Sequence, residues 1–288
     1  MRLASVALDG EVRLVAALDG GDDVLVDLTR SRPKLPADIV EFLALGERGT
    51  ELASAALADA DALVDVADVT FLPVVPKPRT FLCVGRNYYE HVQEGRQDVP
   101  DVPVFFARFG SSLVGNREPI VRPRVSTQLD WEGELAVVLG KPGRHVPADR
   151  ALELVAGYTI FNDGSVRDYQ ARGVQWTAGK NFWRTGPFGP WLVTTDEVPD
   201  PHALELRTFV NGAQVQAANT SQLIFDIGAL IAHVSEWLPL EPGDVIATGT
   251  PSGVGLYSDP PRFLAAGDSV AIEIERLGRL ENPVVDEQ

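Results

Sequence analysis

Glu132 and Glu134 lie in Asp130-Trp131-Glu132-Gly133-Glu134, directly ahead of the apolar run Leu135-Ala136-Val137-Val138-Leu139. Such a run reads as a buried strand, and alternate residues of a strand share a face, so both carboxylates point the same way. Gly133 leaves the opposite face without a side chain and lets another backbone come close. Carboxylates forced together repel unless a proton or a cation lies between them. A hard divalent cation such as Mg²⁺ or Mn²⁺ prefers oxygen ligands and meets that need. Further along, Gly157-Tyr158-Thr159-Ile160-Phe161-Asn162-Asp163 is a second apolar run that ends in an acid. Two strands bringing three carboxylates to one end make an oxygen site with positions open to a substrate. Taken alone, the alternate acids also fit a solvated strand face.

Acid–base groups lie on either side of these runs. His91 and Glu94, in Asn87-Tyr88-Tyr89-Glu90-His91-Val92-Gln93-Glu94, share a face if the segment is helical. A carboxylate bonded to imidazole orients it and raises its basicity, although a surface pair has the same spacing. The other histidines, His145, His202 and His233, have less suggestive neighbours. Lys180, in the glycine- and aromatic-rich stretch Gly179-Lys180-Asn181-Phe182-Trp183, is placed to bind a carboxylate or enolate oxygen, or is a solvated loop lysine. Thr248-Gly249-Thr250-Pro251-Ser252-Gly253 offers hydroxyls and free N–H groups to an oxyanion, or forms a tight turn.

The elements that must hold these groups divide the chain in two. Residues 1–72 read as a small N-terminal α+β domain: strands near 3–7, 12–17 and 24–28, Asp-Gly turns at 9–10 and 19–20, and amphipathic helices near 37–46 and 51–63. The proline-rich Phe71-Leu72-Pro73-Val74-Val75-Pro76 leads into a body spanning 73–288. Its expected strands cover 134–140, 157–162, 190–194, 206–210, 213–217, 244–248 and 269–275, with an Asn211-Gly212 hairpin turn and one long helix from 222 to 237 capped by Thr220-Ser221. Helices do not alternate regularly with these strands, and neither a GxGxxG fingerprint nor a P-loop occurs, which argues against a nucleotide-dependent fold. The expected class is mixed α/β, predominantly β.

Composition narrows the possible partners. A net charge of −16 and a pI near 4.6 argue against nucleic acid or an anionic membrane. Half of that excess falls in residues 1–70, a pattern of solubility rather than chemistry. The single cysteine, Cys83, lies in the apolar strand Phe81-Leu82-Cys83-Val84 and reads as core, so no disulfide and no thiolate metal site is expected. Asp9 and Glu11 fall where a secretory leader would be apolar, and no run of the ~18 apolar residues a membrane helix needs occurs. A cytoplasmic enzyme is expected.

Together and in order, these segments resemble the fumarylacetoacetate hydrolase family. The matching stretches are Val84-Gly85-Arg86-Asn87-Tyr88 with His91 and Glu94, Asp130-Trp131-Glu132-Gly133-Glu134-Leu135, Asn162-Asp163-Gly164-Ser165-Val166-Arg167-Asp168-Tyr169-Gln170, Gly179-Lys180, Gly189-Pro190-Trp191 and Thr248-Gly249-Thr250-Pro251-Ser252-Gly253-Val254-Gly255, across about residues 72–285. The resemblance implies a β-roll body with a smaller N-terminal domain, usually a homodimer. It implies a Mg²⁺ or Mn²⁺ site of Glu132, Glu134 and Asp163, and a water-activating His91–Glu94 dyad on a lid that orders when ligand binds. It further implies that Lys180 contacts the 2-oxo acid or enolate part of a small substrate, with Gln170 and Thr250 in the same pocket and Arg167 and Asp168 as supporting structure. Two positions depart from many relatives: Trp183 replaces an aspartate at the expected pocket wall, and Arg108 replaces a lysine, offering a planar fork to an anion of the substrate. The implied activity is hydrolysis of a C–C bond in an acylpyruvate-like β-diketo acid of the fumarylpyruvate or acetylpyruvate class. Oxaloacetate-type decarboxylation and 2-hydroxydienoate isomerisation or hydration use the same enolate, and a non-catalytic metal-stabilised binding protein is the remaining alternative.

Overall fold

The computed structural model describes residues 1–18 and 23–288, so the turn expected at 19–20 lies outside the described residues. The strand Arg2–Leu8 turns at Asp9 and Gly10, both at positive φ (52° and 80°), and returns as Glu11–Ala17, with Leu8 paired to Glu11. Asn211 and Gly212 (53° and 77°) do the same between Glu205–Val210 and Ala213–Asn219. Two consecutive positive φ values match the right-handed twist of the flanking strands, which is why Asp-Gly and Asn-Gly serve here.

One large sheet runs in the order 63–65, 24–27, 11–17, 2–8, 186–194, 155–162, 133–139, 245–247, 81–85 and 104–107. Arg2 and Leu3 pair with Val193 and Leu192, so residues 1–72 extend the sheet of the body without a break. Their apolar side chains share its cores: Ala4, Val6 and Val15 pack in one cluster with Leu135, Val137 and Trp191. A five-stranded sheet, ordered 213–219, 205–210, 269–274, 278–286 and 120–122, packs against the large one through Leu206, Ile272, Ile274 and Leu280. Every residue of Gly133–Leu139 is buried, as expected of a central strand covered on both faces. The fold is mixed α/β and strand-rich.

The long helix differs from expectation. It spans Ile227–Trp237, capped by Asp226, whose carboxylate accepts from the Ala229 N–H at 2.7 Å. Thr220–Gln222 is instead a separate 3-10 turn closed by a reciprocal Asn219–Gln222 capping box. Between them Asn87 captures the chain, its backbone oxygen and Oδ1 accepting from the N–H groups of Ile224 and Phe225. Those bonds hold 223–225 out of the helix, a tertiary demand that local propensity does not reveal. The helix buries Ile227, Leu230, Ile231 and Val234, an i, i+3, i+4, i+7 stripe. Among the described residues no helix is long and apolar enough to cross a membrane. The final strand Gly278–Asp286 was not foreseen; Pro283 within it argues against a strand from sequence alone, yet it pairs with both 269–274 and 120–122.

Candidate active site

Antiparallel register brings the three acids together. Gly133 pairs with Asn162, the Asp163 N–H donates to the Glu132 carbonyl (2.9 Å), and the Glu132 N–H donates to the Asn162 side chain (3.0 Å). A Cβ at Gly133 would lie 2.3 Å from the Thr208 hydroxyl of the second sheet, so only glycine allows this approach. Glu132, Glu134 and Asp163 are all buried, and each offers a ligand oxygen within 4.8 Å of the others.

Cations enclose this cluster. Lys180, at the end of the short helix Thr177–Lys180, donates to Glu132 Oε2 (2.7 Å) and Asp163 Oδ2 (2.6 Å). Arg167 donates Nε to Asp130 Oδ2 (2.8 Å) and Nη1 to Glu132 Oε1 (2.5 Å). Arg108 donates to Asp163 Oδ1 (2.7 Å), to the Gly164 carbonyl and to the hydroxyls of Ser112 and Thr185. Glu134 is the exception: among the described residues it has one hydrogen bond, from the Gly249 N–H (3.0 Å), and no cation of its own.

Burial penalises the charged form of every carboxylate here, and the neighbours decide the outcome. At Glu132 the Lys180 ammonium and Arg167 guanidinium overcome burial and hold the carboxyl well below its ordinary range. At Asp163 burial outweighs Lys180 and Arg108, and the carboxyl is raised. Glu134 is pushed well above its ordinary value by burial and then by the negative charges of Asp163 and Glu132. Burial opposes the Lys180 charge, but Asp163 and Glu132 hold the ammonium on. Four buried carboxylates, counting Asp130, thus face three cations, with the surplus charge at Glu134. A divalent cation sharing Glu134, Glu132 and Asp163 removes that surplus, and an all-oxygen donor set is what Mg²⁺ or Mn²⁺ takes. The residues fit the ion.

A cavity of about 250 Å³ opens onto the cluster. His91 lines it from the helix Tyr89–Glu94, with Nδ1 2.8 Å from Glu94 Oε1. Glu94 Oε2 accepts from the Gly253 N–H (3.0 Å) and Glu90 from the Ser252 hydroxyl, tying this helix to the loop after Thr250. Glu132, Glu134, Gln170, Lys180 and Thr250 also line the cavity. The Thr250 hydroxyl donates to the Gly133 carbonyl (3.1 Å) and accepts from Gln216 (2.9 Å), so its orientation is fixed.

Several placements differ from expectation. Arg108 is not among the cavity-lining residues and stands behind Asp163, fully engaged by polar partners. Trp183 is 58% exposed beside Arg184 and forms no pocket wall; Trp176 does. Arg167 touches Glu132 directly and also lines the cavity. Gln97, Trp176 and Tyr257 are further lining residues without a cue in the sequence, and Arg86, part of a matching stretch but given no role, lines the cavity as well. The cue for Arg167 was available: several buried acids in one place require buried cations. Trp176, in an irregular polar stretch, gave no periodic signal. Cys83 is buried, and burial followed by the charges of Asp163 and Glu134 pushes its thiol pKa well up, as fits a core residue.

Known proteins are similar to this chain in sequence and fold. The chain is 46% identical over 275 residues to the protein named oxaloacetate tautomerase Fahd2a, mitochondrial, of Rattus norvegicus, covering 95% of this chain and 87% of that one. Its fold matches the fumarylacetoacetate hydrolase of Exiguobacterium antarcticum over all of both chains, with a TM-score of 0.85 and 36% identity. It also matches, over all of both chains at 30% identity and a TM-score of 0.83, the maleylpyruvate hydrolase of Sphingobium sp. SYK-6 solved with manganese(II) and pyruvate. The family model described as fumarylacetoacetate (FAA) hydrolase C-terminal matches residues 80–285, a span that holds the carboxylate triad, its cations and the His91–Glu94 pair, and the chain belongs to that family of enzymes.

Proposed function

We propose that this chain is a Mg²⁺- or Mn²⁺-dependent enzyme that interconverts the keto and enol forms of oxaloacetate or a close 2-oxo diacid. The observation that carries this reading is an oriented imidazole and a carboxylate–lysine cluster lining one small cavity. Keto–enol interconversion asks for little more: a base at carbon and positive charge at oxygen. The rat relative, named for that reaction on oxaloacetate, supports the choice.

Glu132, Glu134 and Asp163 would hold the ion, which when bound polarises a 2-oxo group as a Lewis acid. His91, its Nδ1 fixed by Glu94, removes a proton from C3 of the substrate through Nε2. Lys180 and Arg167, whose Nη2 has no hydrogen-bond partner among the described residues, would stabilise the charge that develops on the 2-oxo oxygen. The protonated His91 then gives that proton to the 2-oxo oxygen, directly or through a water, which completes the enol; the reverse path restores the ketone. Gln170 and Thr250 shape the floor of the cavity, and Arg108 acts through Asp163 rather than on substrate.

Hydrolysis of an acylpyruvate-like diketo acid is the second reading, favoured by one observation: the 2.8 Å bond between His91 and Glu94, a pair that could equally serve as a base toward water. The Sphingobium enzyme is named for such a hydrolysis. A homodimer is part of the proposal by analogy with the family. The cytoplasmic location expected from the sequence draws no support from the rat relative, whose name is mitochondrial.

Ultraviolet absorbance of the enol separates the readings when pyruvate is measured in parallel. With Mn²⁺ or Mg²⁺ the protein should speed decay of enol oxaloacetate without added pyruvate, and EDTA should abolish the effect. Pyruvate released from acetylpyruvate or fumarylpyruvate would establish the hydrolase instead, and pyruvate from oxaloacetate the decarboxylase.

A further inference from the structure

Three cations line the cavity, and two already have carboxylate partners: Lys180 on Glu132 and Asp163, and Arg167 on Asp130 and Glu132. Arg86 has none among the described residues, and its Nε is buried without a hydrogen-bond partner. A buried, unsatisfied guanidinium nitrogen is costly unless something supplies the missing acceptor.

Its setting is built rather than incidental. The strand Phe81–Gly85 ends, and Arg86 turns the chain at φ 59°, a left-handed conformation uncommon outside glycine. Asn87 locks that turn, donating from Nδ2 to the carbonyls of Phe225 (3.0 Å) and Thr248 (2.8 Å). Backbone strain maintained by surrounding bonds is a pointer to function. The Arg86 guanidinium lies 5.4 Å from the ring centroid of Trp176, which in turn meets Phe106 edge-on at 5.5 Å. Phe106 carries the Lys180 ammonium at 5.0 Å from its centroid. One aromatic wall therefore supports two cations, Lys180 at the carboxylate triad and Arg86 two rings away. Gly85 makes the wall possible, since a Cβ there would meet the Trp176 ring at 2.3 Å.

We propose that Arg86 binds the distal carboxylate of the substrate and thereby selects 2-oxo diacids over 2-oxo acids with a neutral tail. The assignment rests on the 2-oxo acid reading given above. The triad end takes the 2-oxo acid group, and the planar fork of Arg86 completes its hydrogen bonds on the second carboxylate. Trp176 holds that fork in place, so little side-chain freedom is lost on binding. Arg86 is then a specificity residue and leaves the proton transfer at His91 untouched.

The test compares ligands that differ only at the tail. Binding of 2-oxoglutarate and of 2-oxovalerate to Mn²⁺-loaded protein is measured by calorimetry for wild type, Arg86→Gln and Arg86→Lys. In parallel, KM and kcat are measured for oxaloacetate and its 4-ethyl monoester. Wild type should favour the diacid of each pair. R86Q should weaken diacid binding and raise the oxaloacetate KM by about tenfold to a hundredfold, with kcat and the neutral-tailed ligands nearly unchanged. R86K, which keeps the charge but not the fork, should fall between. A preference for diacids that survives in R86Q with an unchanged melting temperature, or wild type binding both members of each pair equally, would overturn the assignment. Binding of neither 2-oxo acid by metal-loaded wild type would remove the 2-oxo acid reading itself, and the assignment with it.

Discussion

The two sides of the cavity are built differently. On the carboxylate side, Glu132, Glu134 and Asp163 stand on or beside paired central strands, and Glu132 and Asp163 are locked by Lys180, Arg167 and Arg108. Elsewhere on the lining, His91 rides on a six-residue helix fastened to the 249–257 loop by Glu90 and Glu94, and Arg86 stands on a strained turn with an Nε that has no hydrogen-bond partner among the described residues. The first side is a lattice of buried charges that supports the fold as well as the chemistry. The second carries groups whose partners are few, so it can be altered with little cost to stability. On the proposed reading, ion binding falls to the carboxylate side, and proton transfer and choice of substrate fall to the other.

The largest expected effect comes from breaking the lattice. Asp163→Ala leaves Arg108 and Lys180 facing each other without their shared anion. It should cost about 3–5 kcal/mol in a urea melt and remove metal-dependent turnover together. His91→Ala sharpens the contrast: turnover should fall by about 10²–10⁴-fold while metal affinity is kept and stability changes by less than about 1 kcal/mol. If H91A proved as destabilising as D163A, the division into a structural and a chemical side would be wrong.

A third prediction separates the proton from the ion at Glu134. In metal-free protein its folded pKa is raised, so the folded state binds that proton more tightly than the unfolded chain does. The stabilisation is fully present below the ordinary carboxylate range and is lost as pH rises through the raised value. Asp163, also raised, adds to this slope, whereas Glu132, held low, loses its own contribution only in stronger acid. Melting temperature of the apo protein should therefore fall as pH climbs through that range. Mn²⁺ or Mg²⁺ should cancel the fall by replacing the proton, because ligation needs the carboxylates deprotonated. A Glu134→Gln variant should show a smaller slope and weak ion binding.

The smallest effect is expected at a residue that does not line the cavity. Asp226→Ala removes the cap of the helix Ile227–Trp237 and should cost about 1 kcal/mol by thermal melting, with turnover unchanged.

Much of this was legible in the residues. Gly133 between two glutamates pointed to the shared face and to a close approach, although the group that comes close is the Thr208 hydroxyl rather than a backbone. Asp9-Gly10 and Asn211-Gly212 specified their hairpins, and the apolar run after Glu134 specified the central strand. Other features depend on partners distant in the chain. Asn87 decides where the long helix begins, from well over a hundred residues away. The cavity wall at Trp176 and the cation at Arg86 arise from a stacking contact between separate loops. Trp183, conspicuous in sequence, points outward because Asn181 is tied by hydrogen bonds to Ala107, Phe109 and Thr177, which fix the turn there. Local pattern reports faces and turns, whereas the wall of a cavity is set by which loops meet.

The most direct test of the central claim is proton NMR of oxaloacetate in D₂O with Mg²⁺, following deuterium entry at C3 and pyruvate formation in the same sample. The account predicts exchange at C3 that accelerates with protein, is lost with EDTA or in H91A, and brings no added pyruvate. Pyruvate rising with protein while C3 exchange stays at its background rate would contradict it.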